Sequence, residues 1–82
     1  MEPALIREIA VIDVDGMNCE RCVAQVRHAL QQVTGVERVD VSLDTMEAQV
    51  VYQAGQVSIA RLMAAVDATG YHALGFTRGR LA

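Results

Sequence analysis

Four stretches of the chain alternate between apolar and polar residues, which is the pattern of a half-buried β-strand. They cover residues 6–14, 38–43, 47–52 and 71–77. In the first stretch, the apolar positions Ala10, Ile12 and Val14 fall on one face. The polar pair Asp44-Thr45 separates the second stretch from the third, so these two strands are expected to form a hairpin.

Two other stretches place apolar residues every three or four positions, which predicts amphipathic helices. The stripe of the first helix is formed by Val23, Val26, Leu30 and Val33, and that of the second by Ile59, Leu62, Met63 and Val66. The first helix is predicted from Cys22 onward, and Gly35 is expected to stop it. The second follows Ser58, a candidate N-cap, and is expected to end at Gly70.

The predicted order of elements is therefore βαββαβ. Two βαβ halves of this kind interleave into a four-stranded antiparallel sheet with both helices on one face, the ferredoxin-like α+β arrangement. A chain of 82 residues has room for one modest core. We expect a single domain over residues 1–82, with its core at about 6–77 and a flexible tail at 78–82.

Composition excludes several classes of function. Hydrophobic residues make up 52% of the chain, yet no apolar run approaches the ~20 residues that span a bilayer, so no direct membrane insertion is expected. The net charge of −3 and the lack of lysine argue against a nucleic-acid partner. The first residues lack the basic-then-apolar order of a signal peptide, so we expect a cytoplasmic protein. The sequence contains neither a Gly-rich phosphate loop nor a Ser/His/Asp set. We therefore do not expect an enzyme.

Both cysteines of the protein lie in the segment Gly16-Met17-Asn18-Cys19-Glu20-Arg21-Cys22, where the first strand gives way to the first helix. A helix N-terminus favours thiolates, because its unpaired N–H groups and the positive end of the helix dipole stabilise negative charge. Two thiolates suit Cu(I) or Zn(II). In the cytoplasm, paired cysteines are more often metal-binding or redox-active than a structural disulfide.

Three neighbours of the cysteines have predicted places of their own. Met17 is the one large apolar residue of the turn, and we expect it to anchor the loop in the core rather than to act as a thioether ligand. Asn18 is a candidate N-cap of the first helix. Asp15 continues the polar face of the first strand, so it is expected to face solvent.

On these residues, the chain resembles the heavy-metal-associated domain family over residues 6–77. The family motif Gly-Met-x-Cys-x-x-Cys is present as Gly16 to Cys22, and the pairs Gly35-Val36 and Gly70-Tyr71 match as well. Members include small copper chaperones and the N-terminal metal-binding domains of copper- and zinc-transporting P-type ATPases. Tyrosine at the position of Tyr71 is frequent in bacterial members, so the chain resembles a bacterial copper chaperone or such an ATPase domain.

The resemblance implies that Cys19 and Cys22 bind a soft metal, usually Cu(I) with Ag(I) as a mimic, and that Tyr71 lies beside it. Zn(II) is the second candidate. Zinc prefers four ligands, and zinc-exporting relatives often have an aspartate where this chain has the neutral Asn18. The resemblance further implies transfer of the metal to a P-type ATPase or its metal-binding domain. The protein is expected to be a monomer or a metal-bridged dimer.

Alternatives stay open at this point. A regulatory N-terminal domain of a copper or zinc ATPase would carry the same motif. Thiol–disulfide oxidoreductases also place Cys-x-x-Cys at a helix N-terminus, but they usually have a cis-proline facing the pair, and the one proline here, Pro3, is remote in sequence. The sequence does not decide whether Asp15 or His72 approaches the metal. Successive strand residues point to opposite faces, so at most one of Tyr71 and His72 faces the cysteine loop.

Overall fold

The computed structural model describes residues 7–79. Six elements follow one another in the predicted order βαββαβ. They are β1 (Arg7–Asp15), α1 (Glu20–Gln31), β2 (Val36–Ser42), β3 (Glu47–Gln53), α2 (Ile59–Asp67) and β4 (His72–Gly79). The predicted start of the first strand at residue 6 lies outside the described residues.

The four strands form one antiparallel sheet in the order β2-β3-β1-β4. In β1, Ala10 lies opposite Val50 of β3 and Arg78 of β4. The register between β1 and β4 shifts at Asp13/Val14, which marks a β-bulge near the end of β1. Because β1 leads directly into the cysteine segment, that segment is attached to a strand that is paired along both edges.

Both helices pack on the same face of the sheet and enclose one hydrophobic core. Its buried members are Ala10, Ile12, Val14, Met17, Cys22, Val23, Val26, Leu30, Val39, Ala48, Val50, Tyr52, Val57, Ile59, Leu62 and Val66. The predicted apolar stripes of the helices face this core, with Val33 and Met63 partly buried at its margin. Burial of apolar surface therefore holds the helices, and the loops at their ends, in place.

Gly35 makes the turn from α1 into β2. Its φ is +100°, a conformation that residues with a Cβ adopt only at a cost. A Cβ at this position would also lie 3.0 Å from the Cβ of Gln56. The helix itself has already ended at Gln31, with Gln32 as its C-cap, so Gly35 redirects the chain rather than terminating the helix as predicted.

Two predicted boundaries are wrong. The first helix begins at Glu20 rather than at Cys22, because Cys19 caps it. The last strand runs to Gly79, because Arg78 and Gly79 pair with residues of β1 instead of belonging to a frayed tail. The rest of the predicted tail, residues 80–82, lies outside the described residues. Ser58 caps α2 as predicted, accepting a hydrogen bond from the backbone N–H of Arg61.

The cysteine segment sits at one end of the sheet, between the end of β1 and the start of α1. The start of β4 lies beside it, because Asp15 is paired with His72. The loop before β4, which carries Tyr71, is thereby brought next to the cysteines. Within the described residues, neither α1 nor α2 combines the length and the apolar character that crossing a bilayer requires.

Candidate metal centre

Cys19 is the N-cap of α1. Its backbone is extended, with φ −155° and ψ 164°, and its Sγ accepts a hydrogen bond from the backbone N–H of Cys22 at 3.3 Å. The first N–H groups of a helix have no partner within the helix, so the sulfur satisfies one of them. The prediction that Asn18 caps the helix is wrong, since Asn18 lies one residue before the cap.

Asn18 instead contacts the second cysteine. The Sγ of Cys22 donates to the Oδ1 of Asn18 at 3.6 Å. A thiol is a weak donor, so this contact orients the sulfur without holding it firmly. Asn18 thus lies beside one of the two sulfurs, as a neighbour of the site.

The two thiols differ in their access to solvent. Both are free cysteines, but Cys19 is exposed whereas Cys22 is buried, with only 7% of its surface accessible. This difference follows from their places on α1, because Cys22 joins the stripe that faces the core and Cys19 precedes the first turn. The pair therefore presents one sulfur anchored against the core and one that is accessible from solvent.

The surroundings of Cys22 favour its thiolate. The hydrogen bond with the Cys19 side chain, followed by those with the Tyr71 hydroxyl and the backbone, lowers the pKa of Cys22 from 9.0 to about 7, against the opposing effect of burial. Donors pointing at a sulfur stabilise its negative charge. A thiolate is the form of cysteine that binds a soft metal, so Cys22 can bind such a metal near neutral pH.

Tyr71 lies against the cysteine loop. Hydrogen bonding with the Cys22 side chain, followed by burial and the negative charge of Cys22 and Cys19, raises the pKa of Tyr71. A Cβ placed on Gly16 would lie 3.2 Å from the Cδ1 of Tyr71, so the glycine leaves the space that the ring needs. The ring of Tyr71 therefore lies over Gly16, the first residue of the cysteine segment.

Met17 is buried in the core, with 2% of its surface exposed. It is the residue of the loop between β1 and α1 that joins the hydrophobic cluster. The side chain thus ties the cysteine segment to the packed interior, as the sequence predicted. Flexible, unbranched methionine is well suited to filling such an irregular position.

Asp15 and His72, the two residues whose approach to the metal the sequence left open, are both exposed. They lie opposite each other at the ends of β1 and β4. Among residues 7–79, no group of three or more His, Cys, Asp or Glu side chains is arranged to hold a metal ion. In the described part of the chain, no third side chain of these four types joins the two cysteines.

Gln25 belongs to the surroundings of the site, although the sequence analysis did not single it out. Its Oε1 accepts a hydrogen bond from the Tyr71 hydroxyl at 3.1 Å. Gln25 lies three residues after Cys22 and so shares a helix face with it, which is the one signal in the sequence. The partner lies 46 residues away, so only the packed structure brings the two together.

Two soft sulfurs three positions apart in the chain, with no third His, Cys, Asp or Glu grouped with them in the described part, suit a metal that is satisfied by two thiolates. A tetrahedral zinc site would need further ligands. The model of the heavy-metal-associated domain matches residues 11–72, most of the chain. The chain belongs to the heavy-metal-associated domain family. The match runs from Val11, within β1, to His72, the first residue of β4, and includes both cysteines.

Three relatives show where such domains occur. The copper chaperone CopZ of Staphylococcus haemolyticus is 36% identical over 61 residues, which cover 74% of this chain and 90% of CopZ. The periplasmic component of the mercuric transport protein of Salmonella typhi is 34% identical over 64 residues, which cover 78% and 70% of the two chains. The copper-transporting ATPase HMA5 of Oryza sativa subsp. japonica is 38% identical over 68 residues.

The extent of these matches differs widely. The aligned part covers 83% of this chain but only 7% of the rice ATPase, so the likeness concerns one small domain of that protein. Among solved structures, oxidized MerP from Ralstonia metallidurans CH34 superposes with a TM-score of 0.80 at 28% identity. The superposition covers 92% of this chain and 100% of MerP. The heavy-metal-associated domain fold and the predicted ferredoxin-like arrangement are thereby confirmed.

Proposed function

We propose that this domain binds one Cu(I) ion between the thiolates of Cys19 and Cys22 and passes it to a partner by ligand exchange. The observation that carries the proposal is the pair of sulfurs on the first turn of α1, one buried and one exposed, with no third grouped ligand in residues 7–79. Coordination number then selects the metal, because Cu(I) accepts two soft thiolates whereas Zn(II) seeks four ligands.

Exchange proceeds through the exposed sulfur. A thiolate of the partner attacks the two-coordinate ion and forms a third Cu–S bond, after which a bond to Cys19 or Cys22 breaks with its electron pair staying on the departing sulfur. The ion keeps its charge throughout, so no oxidant or reductant is needed. The activity is binding and transfer, without a catalysed reaction, and the accessibility of Cys19 is what allows it.

The proposed partner is a metal-transporting P-type ATPase, or its metal-binding domain, reached from the cytoplasm. Support comes from the relatives, which include a copper chaperone and a domain of a copper-transporting ATPase. If the donor and the acceptor domain share this fold, each of them offers the ion the same pair of thiolates. The same likeness supports the alternative that this chain is itself the regulatory domain of such an ATPase.

A second cargo is favoured by one observation. A relative of comparable identity is named as a mercuric transport protein. Hg(II) is also a soft ion that two thiolates satisfy, so the site geometry accommodates either ion. The cargo is therefore tested by competition between the two ions rather than by binding of one alone.

The proposal is tested by titrating the reduced protein with Cu(I) in the presence of a chromogenic Cu(I) chelator. We expect one tightly bound ion per chain, no tight Zn(II) binding, and loss of Cu(I) binding in the Cys19→Ser, Cys22→Ser double variant, whose circular dichroism should match the parent. Ag(I) should displace Cu(I) from the same site. Retained tight Cu(I) binding in the double variant would rule the proposal out. Displacement of Cu(I) by stoichiometric Hg(II) would assign the site to Hg(II) instead of Cu(I).

The carrier role needs a separate measurement. The Cu(I)-loaded protein is mixed with a metal-binding domain of a copper-transporting ATPase, and the two are separated by ion exchange. Transfer of Cu(I) to the ATPase domain should be complete within seconds. It should also be faster than the spontaneous release of Cu(I) from the loaded protein into buffer, which is measured by dialysis. Transfer at the rate of spontaneous release into buffer would show that no direct exchange occurs.

A further inference from the structure

The Tyr71 side chain connects two distant parts of the fold. Its hydroxyl donates to the Oε1 of Gln25 on α1 at 3.1 Å, although the two residues are 46 positions apart in the chain. On the other side, its Cδ1 would lie 3.2 Å from a Cβ on Gly16, so the ring packs over the first residue of the cysteine segment. One aromatic side chain therefore joins the beginning of this segment to the middle of the helix that follows it.

The backbone around Tyr71 is held without the help of Gln25. The N–H of Tyr71 donates to the Oγ1 of Thr69 at 3.4 Å, and the N–H of Ala73 donates to the Oδ1 of Asp67 at 2.9 Å. Loss of the bond to Gln25 should therefore leave the backbone in place. It should free only the rotation of the ring about its own side-chain bonds.

An open groove of about 460 Å³ beside the Gln25 side chain gives the ring room to turn. It lies between α1 and the turn that follows α2, and both Gln25 and Thr69 line it. The bond from Tyr71 to Gln25 is exposed to solvent, and a hydrogen bond of this kind changes an equilibrium by about a few-fold. That factor is large enough to decide how much of the time the ring stays over Gly16.

We infer that Gln25 is a positioning residue for the metal exchange proposed above, because it keeps the Tyr71 ring over Gly16, where the ring restricts the approach of an incoming ligand to the cysteine segment. The inference rests on the proposed function of Cys19 and Cys22. Gln25 acts through the ring. It therefore controls how fast an incoming ligand reaches the ion, and leaves unchanged how tightly the two sulfurs hold it.

The kinetic test uses Gln25→Leu, which keeps the approximate size of the side chain and removes its acceptor. Removal of Cu(I) is followed over a range of chelator concentrations. Its second-order rate constant should be about two to five times that of the parent, the factor expected for one exposed hydrogen bond, while the Cu(I) affinity at equilibrium stays the same. Tyr71→Phe lacks the donor and should be as fast as Gln25→Leu, and the double variant should be no faster than either.

Gln31→Leu is the matched control, because Gln31 is an exposed glutamine at the far end of the same helix. Its rate constant and its affinity should equal those of the parent. A structural measurement needs no metal. In the metal-free parent we expect a nuclear Overhauser effect between the Tyr71 ring protons and the Hα protons of Gly16. It should weaken in Gln25→Leu and persist in Gln25→Glu, which keeps an acceptor oxygen.

Each outcome bears on the inference. An unchanged or slower rate constant in Gln25→Leu overturns it, and so does a faster one that comes with a lower affinity. A removal rate that does not depend on chelator concentration overturns it as well, because no incoming ligand would then set the rate. A full-strength Overhauser effect in Gln25→Leu overturns it whether or not Cu(I) binds. Failure of the parent to bind Cu(I) would refute the proposed function, and the Overhauser effect would then decide whether Gln25 positions the ring.

Discussion

The backbone N–H of Cys22 donates to the Sγ of Cys19 at 3.3 Å, so the first cysteine caps the helix that carries the second. This hydrogen bond holds the Cys19 sulfur at the N-terminal end of α1, where the positive end of the helix dipole lies. The two thiols are not equivalent as a result. Cys19 is reachable from solvent, whereas Cys22 is held against the core.

The first prediction concerns the dependence of apo-protein stability on pH. The pKa of Cys22 is about 7 in the folded protein and 9.0 ordinarily. Between these values, the unfolded chain keeps the proton that the folded chain has lost, so the free energy of unfolding should rise from pH 7 to pH 9. This stabilisation is complete above pH 9 and disappears as the pH falls through 7.

Urea denaturation at several pH values measures this effect. Cys22→Ser is the control, because it removes the titrating group, and its stability should rise less with pH over the same window. Equal slopes for the parent and Cys22→Ser would show that the folded protein does not favour the thiolate of Cys22.

Much of this arrangement could be predicted from the sequence, because it depends on local patterns. Alternation and helical spacing gave the six elements, and the residue types at Met17 and Ser58 indicated a core anchor and a cap, both confirmed by the structure. The Cys-x-x-Cys spacing, with its flanking residues, indicated the site and the family.

The errors have a common cause, which is that tertiary contacts decided between local alternatives. Asn18 is by type a better N-cap than cysteine, yet the backbone places Cys19 in the cap position. Arg78 is polar and lies near the end of the chain, but pairing with Ala10 keeps it in β4. The bond between Gln25 and Tyr71 joins distant parts of the chain and depends on how the loop before β4 packs against α1.

Met17 is predicted to act through packing. Met17→Ala should lower the free energy of unfolding by about 2–4 kcal/mol, the usual cost of truncating a buried large apolar side chain. Cu(I) affinity should fall only modestly, because a looser loop still carries both sulfurs. Chemical denaturation and chelator competition measure the two effects.

Met63→Ala serves as the comparison for this variant, since Met63 is only partly buried at the margin of the core and should cost less. If Met17→Ala left stability unchanged and abolished Cu(I) binding, the thioether would be a ligand instead of a core residue.

Gly16 is predicted to be required for the position of Tyr71. Its φ is +99°, and a Cβ there would crowd the Tyr71 ring at 3.2 Å. Gly16→Ala should destabilise the protein by about 1–2 kcal/mol, the cost of a left-handed conformation for a residue with a Cβ. It should also shift the ring-proton resonances of Tyr71, and NMR spectra report both effects.

Gly35→Ala is the matched control, because Gly35 has φ +100° and its added Cβ would crowd Gln56, away from the cysteines. It should lose stability to a similar degree while leaving the Tyr71 resonances in place. Unshifted Tyr71 resonances in Gly16→Ala would mean that the ring does not depend on the space over this glycine.

Asn18 is predicted to set the discrimination against zinc. Its Oδ1 lies 3.6 Å from the Cys22 sulfur, so a carboxylate at this position would stand beside the metal. Asn18→Asp should raise Zn(II) affinity about tenfold or more, because zinc gains an oxygen ligand, and should leave Cu(I) affinity almost unchanged. Competition with zinc and copper indicators measures the two affinities separately.

Asp15→Ala provides the comparison, since Asp15 is exposed and should contribute to neither metal. Nanomolar Zn(II) binding by the unmodified protein, removed by Asp15→Ala, would contradict the assignment of the site to copper.

The central claim is that two cysteine sulfurs alone hold the ion, and X-ray absorption spectroscopy of the Cu(I)-loaded protein tests it most directly. We predict a nearly linear Cu(I) centre with two sulfur neighbours, Cys19 and Cys22, and no nitrogen or oxygen neighbour at bonding distance. The spectrum should stay the same in His72→Ala, because His72 is exposed on β4 and should not reach the metal. A third or fourth protein ligand, or an imidazole signal that His72→Ala removes, would contradict the account.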